Sequence, residues 1–131
     1  MKFWIPSYSF DEVIAIKNQI DAAENPAQGF LLLKQLERKR VKVNNAIVKQ
    51  ISNSINIDYT FSVIATVERS SGTIDCYIYT RNWRNDEDYM SVAQLKPGDT
   101  IYVIGRFSRF LKFPGNKYAV ELVESNISTL K

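Results

Sequence analysis

Tyr77, Tyr79 and Arg81 stand two residues apart in the segment Thr73–Arg81, so on a strand they share one face. Ile74, Cys76 and Ile78 take the other. Trp83 and Arg84 follow directly. Farther along, Arg106, Arg109, Lys112 and Lys117 interleave with Phe107, Phe110 and Phe113, and no acid falls between Tyr102 and Val120. Aromatic faces stack on bases at roughly 1–3 kcal/mol each, while cations follow backbone phosphates. The chemistry implied is therefore non-covalent: bases on Tyr77, Tyr79 or Trp83, with Arg81 and Arg84 beside them. Phosphates would meet Arg106, Arg109, Lys112 and Lys117, with Phe110 as a loop aromatic. Packing competes for some of these side chains. Strand tyrosines often pack against cross-strand neighbours and keep a wet hydroxyl, and Phe110 and Phe113 can fold back onto the core.

Covalent chemistry finds little to work with. The chain has no histidine, which excludes Ser-His, Cys-His and histidine-metal arrangements. Cys76, the single cysteine, sits between Ile74 and Ile78 and reads as a small buried thiol. Asp86-Glu87-Asp88 reads as a solvated turn or a helix start rather than a cation site. The five glycines are scattered singly, so no phosphate-cradling loop occurs. The expectation is a non-enzyme with no cofactor and no metal.

The elements that must position these residues change character along the chain. Ser9-Phe10-Asp11-Glu12 is a capping box, predicting a helix from about Phe10 to Ala23 with Val13, Ile16 and Ile20 on its buried side. Asn25-Pro26 starts a second helix, with Phe30, Leu33 and Leu36 inward. Val43, Ile47 and Ile51 keep an i, i+4 spacing, which favours one long or kinked helix to about Ser52. Val41-Lys42-Val43-Asn44-Asn45 stands out as a stretch that could break it. From Ile57 the period becomes two. Tyr59, Phe61, Val63, Ala65 and Val67 mark a half-buried strand, and Ser70-Ser71-Gly72 turns it back into Thr73–Thr80. Glu87–Leu95 reads as a short helix or a third strand. Thr100–Ile104 is a strand interrupted at Gly105, where a bulge is expected. Phe107–Lys117 reads as a long loop, and Lys117–Val123 as the returning strand.

Leu95, Gly98, Asp99, Ile101, Val103, Gly105 and Arg106, followed by Gly115, Tyr118, Val120 and Leu122, form a pattern that resembles the last two strands of OB-fold domains. The likeness is greatest to the anticodon-binding-like and single-strand nucleic-acid-binding branches, and it covers about the last 75 residues. It implies a small OB-like antiparallel β-barrel in residues 56–131. With the N-terminal helical hairpin that the capping and spacing signals predict in residues 1–55, the expected architecture is α+β. The likeness also implies a ligand face on barrel strands 2 and 3, flanked by the 1–2 and 4–5 loops. Only two strands are located before the barrel helix, where such domains have three.

The bulk properties fit that reading. At 131 residues and 45% hydrophobic content the chain suits one small domain with a helical appendage. No stretch is apolar for long enough to span a membrane, the first residues make no signal peptide, and a cytoplasmic location is the expectation. The net charge is only +3, yet Lys34–Lys49 holds six cations against Glu37 alone, which makes a second basic surface. The expected partner is single-stranded nucleic acid, DNA or RNA. The alternative is a protein-interaction module using barrel and helices, or self-association through the N-terminal helices, since aromatics and arginine also enrich protein interfaces.

Overall fold

The structure is a computed structural model and describes residues 7–54, 58–59, 61–80 and 86–129. A short strand β1 (Ser7–Ser9) leads into α1 (Phe10–Asp21), then α2 (Pro26–Lys34). The capping box closes α1 as expected: the Glu12 amide donates to Ser9 Oγ and the Ser9 amide to Glu12 Oε1, both at 3.2 Å. Phe10, Val13, Ile14 and Ile16 bury against the barrel core, so α1 belongs to the same hydrophobic unit. Asn25 caps α2 with Pro26 in its first turn, but α2 buries none of its side chains.

The long helix expected to reach Ser52 is not there. Residues Arg40–Asn53 form a strand, β2. Val41 and Val43 alternate into the core, and so do Ala46 and Val48. Between the two pairs the register against β5 shifts, and Asn45 adopts φ +58°. That bulge switches the inward positions from odd to even numbers, so β2 lacks the plain alternation of a regular strand. The i, i+4 spacing of Val43, Ile47 and Ile51, which a strand also allows, then reads as helix. The expected division at residue 55 moves with it, because β2 is part of the barrel.

Four further strands complete the sheet: β3 (Phe61–Arg69), β4 (Gly72–Thr80), β5 (Thr100–Phe113) and β6 (Lys117–Thr129). Their order is β2-β3-β4-β6-β5, and β5 pairs again with β2 to close a five-stranded barrel. The β4–β6 pair is parallel and the other barrel pairs are antiparallel. β1 lies outside the barrel, parallel to β2. Helix α3 (Asp86–Ala93) links β4 to β5, opening on the Asp86-Glu87-Asp88 run. Val92 and the following Leu95 bury in the core with Val63, Cys76, Ile78, Val103 and Leu122. The architecture is an OB fold, with β2, β3 and β4 as the three strands before the barrel helix.

Gly105 sits at the expected bulge, where the β5–β6 register shifts. A Cβ there would collide with the Ser125 hydroxyl and press on Leu122. The segment Phe107–Phe113, expected as loop, continues β5. Phe110 pairs with Val120, Leu111 with Ala119 and Phe113 with Lys117, leaving only Pro114-Gly115-Asn116 as a turn. Among the described residues no helix is long and apolar enough to cross a membrane.

Candidate functional site

The outer surface of β3 and β4 is the floor of the site. The antiparallel register sets Tyr77 opposite Ile64 and Asp75 opposite Thr66. Side chains directly opposite in a sheet share a face, so these four stand on the side turned away from Cys76 and Ile78. The β5–β6 turn forms one wall. There the Phe113 ring, 40% exposed, stacks on Tyr77 at an interplanar angle of 30° with centroids 6.0 Å apart. Lys117 and Asn116 from the same turn, and Lys49 from β2, line the open cleft of about 510 Å³ that results.

Charge over this floor is mixed. Asp75 accepts from Thr66 Oγ1 at 2.9 Å and from Lys49 Nζ at 3.3 Å, which fixes the carboxylate and offsets one cation. Lys112 and Lys117 are exposed, and neither has an ion-pair partner among the described residues. An anion is therefore attracted to the turn rather than to the middle of the floor.

The other expected site residues separate into distinct places. Tyr79 is only 2% exposed and packs against Tyr59 at 5.7 Å. Burial, then the nearby Glu121 carboxylate, holds its hydroxyl above the usual phenol value. Tyr79 is a packing residue, and the two tyrosines do not stand together on an open face. Phe110 contacts Phe107 at 4.9 Å and Tyr118 at 5.8 Å, with the Lys17 ammonium of α1 over the Tyr118 ring at 4.8 Å. Phe110 therefore joins β5–β6 to α1 rather than facing the cleft. Burial also raises the Tyr118 hydroxyl, with Arg69 partly opposing it.

Arg109 and Arg106 were expected to be free of acids, and both are paired. Arg109 Nε donates to Glu121 Oε1 at 3.2 Å, and Ser108 Oγ donates to the same oxygen at 2.8 Å. The Glu121 carboxylate is almost wholly buried, so these two donors satisfy a charge inside the protein. Arg106 meets Glu124 at 3.2 Å, in a different cleft with Arg38 and Arg40. The acids come from β6, just past the stretch that has none, and cross-strand pairing returns them to the arginines. Arg81, Trp83 and Arg84 lie outside the described residues.

No protein-family model matches the sequence, and no curated protein is significantly similar to it. Solved structures of similar shape include asparaginyl-tRNA synthetase from Pyrococcus horikoshii, with 15% identity over 74% of this chain and a TM-score of 0.46. The chain spans 21% of that synthetase. A replication factor A related protein from Methanobacterium thermoautotrophicum has 12% identity over 72% of this chain and 84% of its own, with a TM-score of 0.43. An OB domain from Methanosarcina mazei has 13% identity over 71% of this chain and 72% of its own, at TM-score 0.37. None of these likenesses bears on what this chain binds.

Sequence reasoning missed Phe113 as a cleft residue and placed Lys49 on a helix. Strand parity would have found both. Continuing β5 to Phe113 puts that ring at the rim of the turn, and reading β2 as a strand brings Lys49 beside β3.

Proposed function

We propose that the protein binds single-stranded nucleic acid, without catalysing a reaction, in the cleft between the β3–β4 face and the β5–β6 turn. The observation that carries this reading is the stacked Tyr77–Phe113 pair, 6.0 Å apart and open to solvent on one side, with Lys117 in the same cleft. The barrel core does not need these rings, since both lie on its outer side. An unpaired base presents a π-face that either ring can stack on, whereas a duplex hides it. Lys117 then meets a phosphate beside the stacked base, while Lys112 alternates onto the Tyr118 side of β5.

Fluorescence anisotropy with a labelled single-stranded oligonucleotide tests this. Tyr77→Ala and Phe113→Ala should each weaken binding by about 1–3 kcal/mol and leave the salt dependence nearly unchanged. Lys117→Ala should flatten the slope of log K against log salt by about 0.7, the value for one phosphate contact. Arg109 is unsuitable for this test, because removing it strands the buried Glu121 carboxylate. Heparin competing as well as an oligonucleotide of equal charge, with no effect of the aromatic substitutions, would sink the reading.

A second reading, self-association through the N-terminal helices, is favoured by α2. Phe30 is 58% and Leu31 65% exposed there, with Leu33 beside them. Sedimentation across a concentration series separates the two readings: a mass increase reversed by Leu31→Glu supports association, and a constant monomer mass removes it.

A further inference from the structure

On the barrel wall formed by β2, β5 and β6, register sets Arg40 directly opposite Arg106. Like charges at facing positions of a strand pair repel, and of the two only the half-buried Arg106 has partners to offset this, Glu124 and Tyr59. Arg38 lines the same cleft, of about 350 Å³. Its φ of +59° lies in the left-handed region that favours glycine, so backbone strain is accepted at a residue that carries a long cation. The charges facing the cleft do not balance. Glu124 pairs with Arg106, while Arg38 and Arg40 have no ion-pair partner among the described residues. Lys42, on the same face of β2 as Arg40, adds a further exposed cation. Planar guanidinium groups gathered in a concave site match the oxygens of a phosphate.

We propose that Arg38, Arg40 and Arg106 form a second phosphate-binding site, which holds a distant part of the same nucleic-acid strand that enters the aromatic cleft. The nature of the ligand rests on the function proposed above, whereas the site itself rests on the paired arginines. The two clefts share no lining residue. Along β5 the separation from Phe113 to Gly105 is roughly 25 Å, at about 3.3 Å per residue. A strand stacked at about 3.4 Å per phosphate needs roughly seven nucleotides to cover that distance. Length is therefore the discriminating variable.

Binding of a four-nucleotide and a twenty-nucleotide oligothymidine is compared for the unaltered protein, for Arg38→Ala with Arg40→Ala, and for Tyr77→Ala. The double arginine change should weaken the twentymer about tenfold or more and flatten its salt slope by about 1.4, while leaving the tetramer within about twofold. Both side chains are exposed and one relieves a like-charge contact, so the melting temperature should not fall. Tyr77→Ala should weaken both lengths. An unchanged twentymer, or an equal loss on both lengths, would overturn the second site. If Tyr77→Ala has no effect while the arginine change still acts on the twentymer, the aromatic cleft is wrong and the arginine site stands. An unaltered protein that binds neither oligomer overturns both.

Discussion

At the scale of single residues, Cys76 shows what burial does to a reactive group. It is fully buried, and burial, then the neighbouring Asp75, drives its thiol well above the usual cysteine value. The thiolate is the reactive form, so the native protein should resist a thiol-labelling reagent that modifies the unfolded chain within minutes. Cys76→Ser should cost about 1–3 kcal/mol in urea unfolding, because it buries a hydroxyl among isoleucines without a sure partner. The sign of the pH dependence follows from the raised value. The thiol's contribution is fully present below about pH 8.5, where the unfolded cysteine is also protonated. It declines as pH rises beyond that, because only the unfolded chain can then ionise. Tyr79 and Tyr118, also raised, extend the decline above about pH 10. Urea midpoints measured from pH 7 to 10.5 should fall, and the Cys76→Ser protein should lose the earlier part of the fall. A midpoint that rises with pH would contradict the burial argument.

At the scale of elements, the β5–β6 hairpin matters most, since it brings Phe113 and Lys117 to Tyr77. Its turn needs left-handed backbone at Gly115, φ +79°, and at Asn116, φ +59°. A Cβ added at Gly115 would meet nothing within 4 Å, so any cost of Gly115→Ala is conformational rather than steric. That cost should be about 1–2 kcal/mol. If the turn relaxes to avoid it, Phe113 moves relative to Tyr77, and oligonucleotide binding should weaken although neither ring has been altered. Thermal unfolding and anisotropy on the same variant read the two effects. Unchanged stability would show that the turn tolerates a side chain in this conformation.

For the whole molecule, the decisive feature is that β2 closes the barrel. It pairs with β5 through its first half and with β3 through its second, while α1 buries its apolar side against the same core. A chain cut between residues 55 and 56 should therefore yield two pieces that each lack a cooperative unfolding transition by circular dichroism. The second piece would expose two unpaired edges. A sharp transition from residues 56–131 alone would show that the barrel closes without its first strand.

Local signals determined a good part of this protein. The Ser9 capping box, the Asn25-Pro26 helix start, the alternation of Val63, Ala65 and Val67, the Gly72 turn and the Gly105 bulge are short-range effects, legible because neighbours within a few residues decide them. The aromatic and basic composition of the β5–β6 arm is equally plain in the chain. Only tertiary structure decided the rest. Val41 to Ile51 became strand because pairing with β3 and β5 satisfies its backbone on both sides, and a bulge at Asn45 absorbed the change in parity. Glu121 and Glu124 reached Arg109 and Arg106 because an antiparallel partner returns residues that lie more than ten positions away in the chain. Tyr77 and Tyr79 share a strand face, yet one lies in an open cleft and the other is covered. What covers a side chain comes from residues distant in the chain, here Tyr59 against Tyr79, and its own neighbours in sequence do not carry that information.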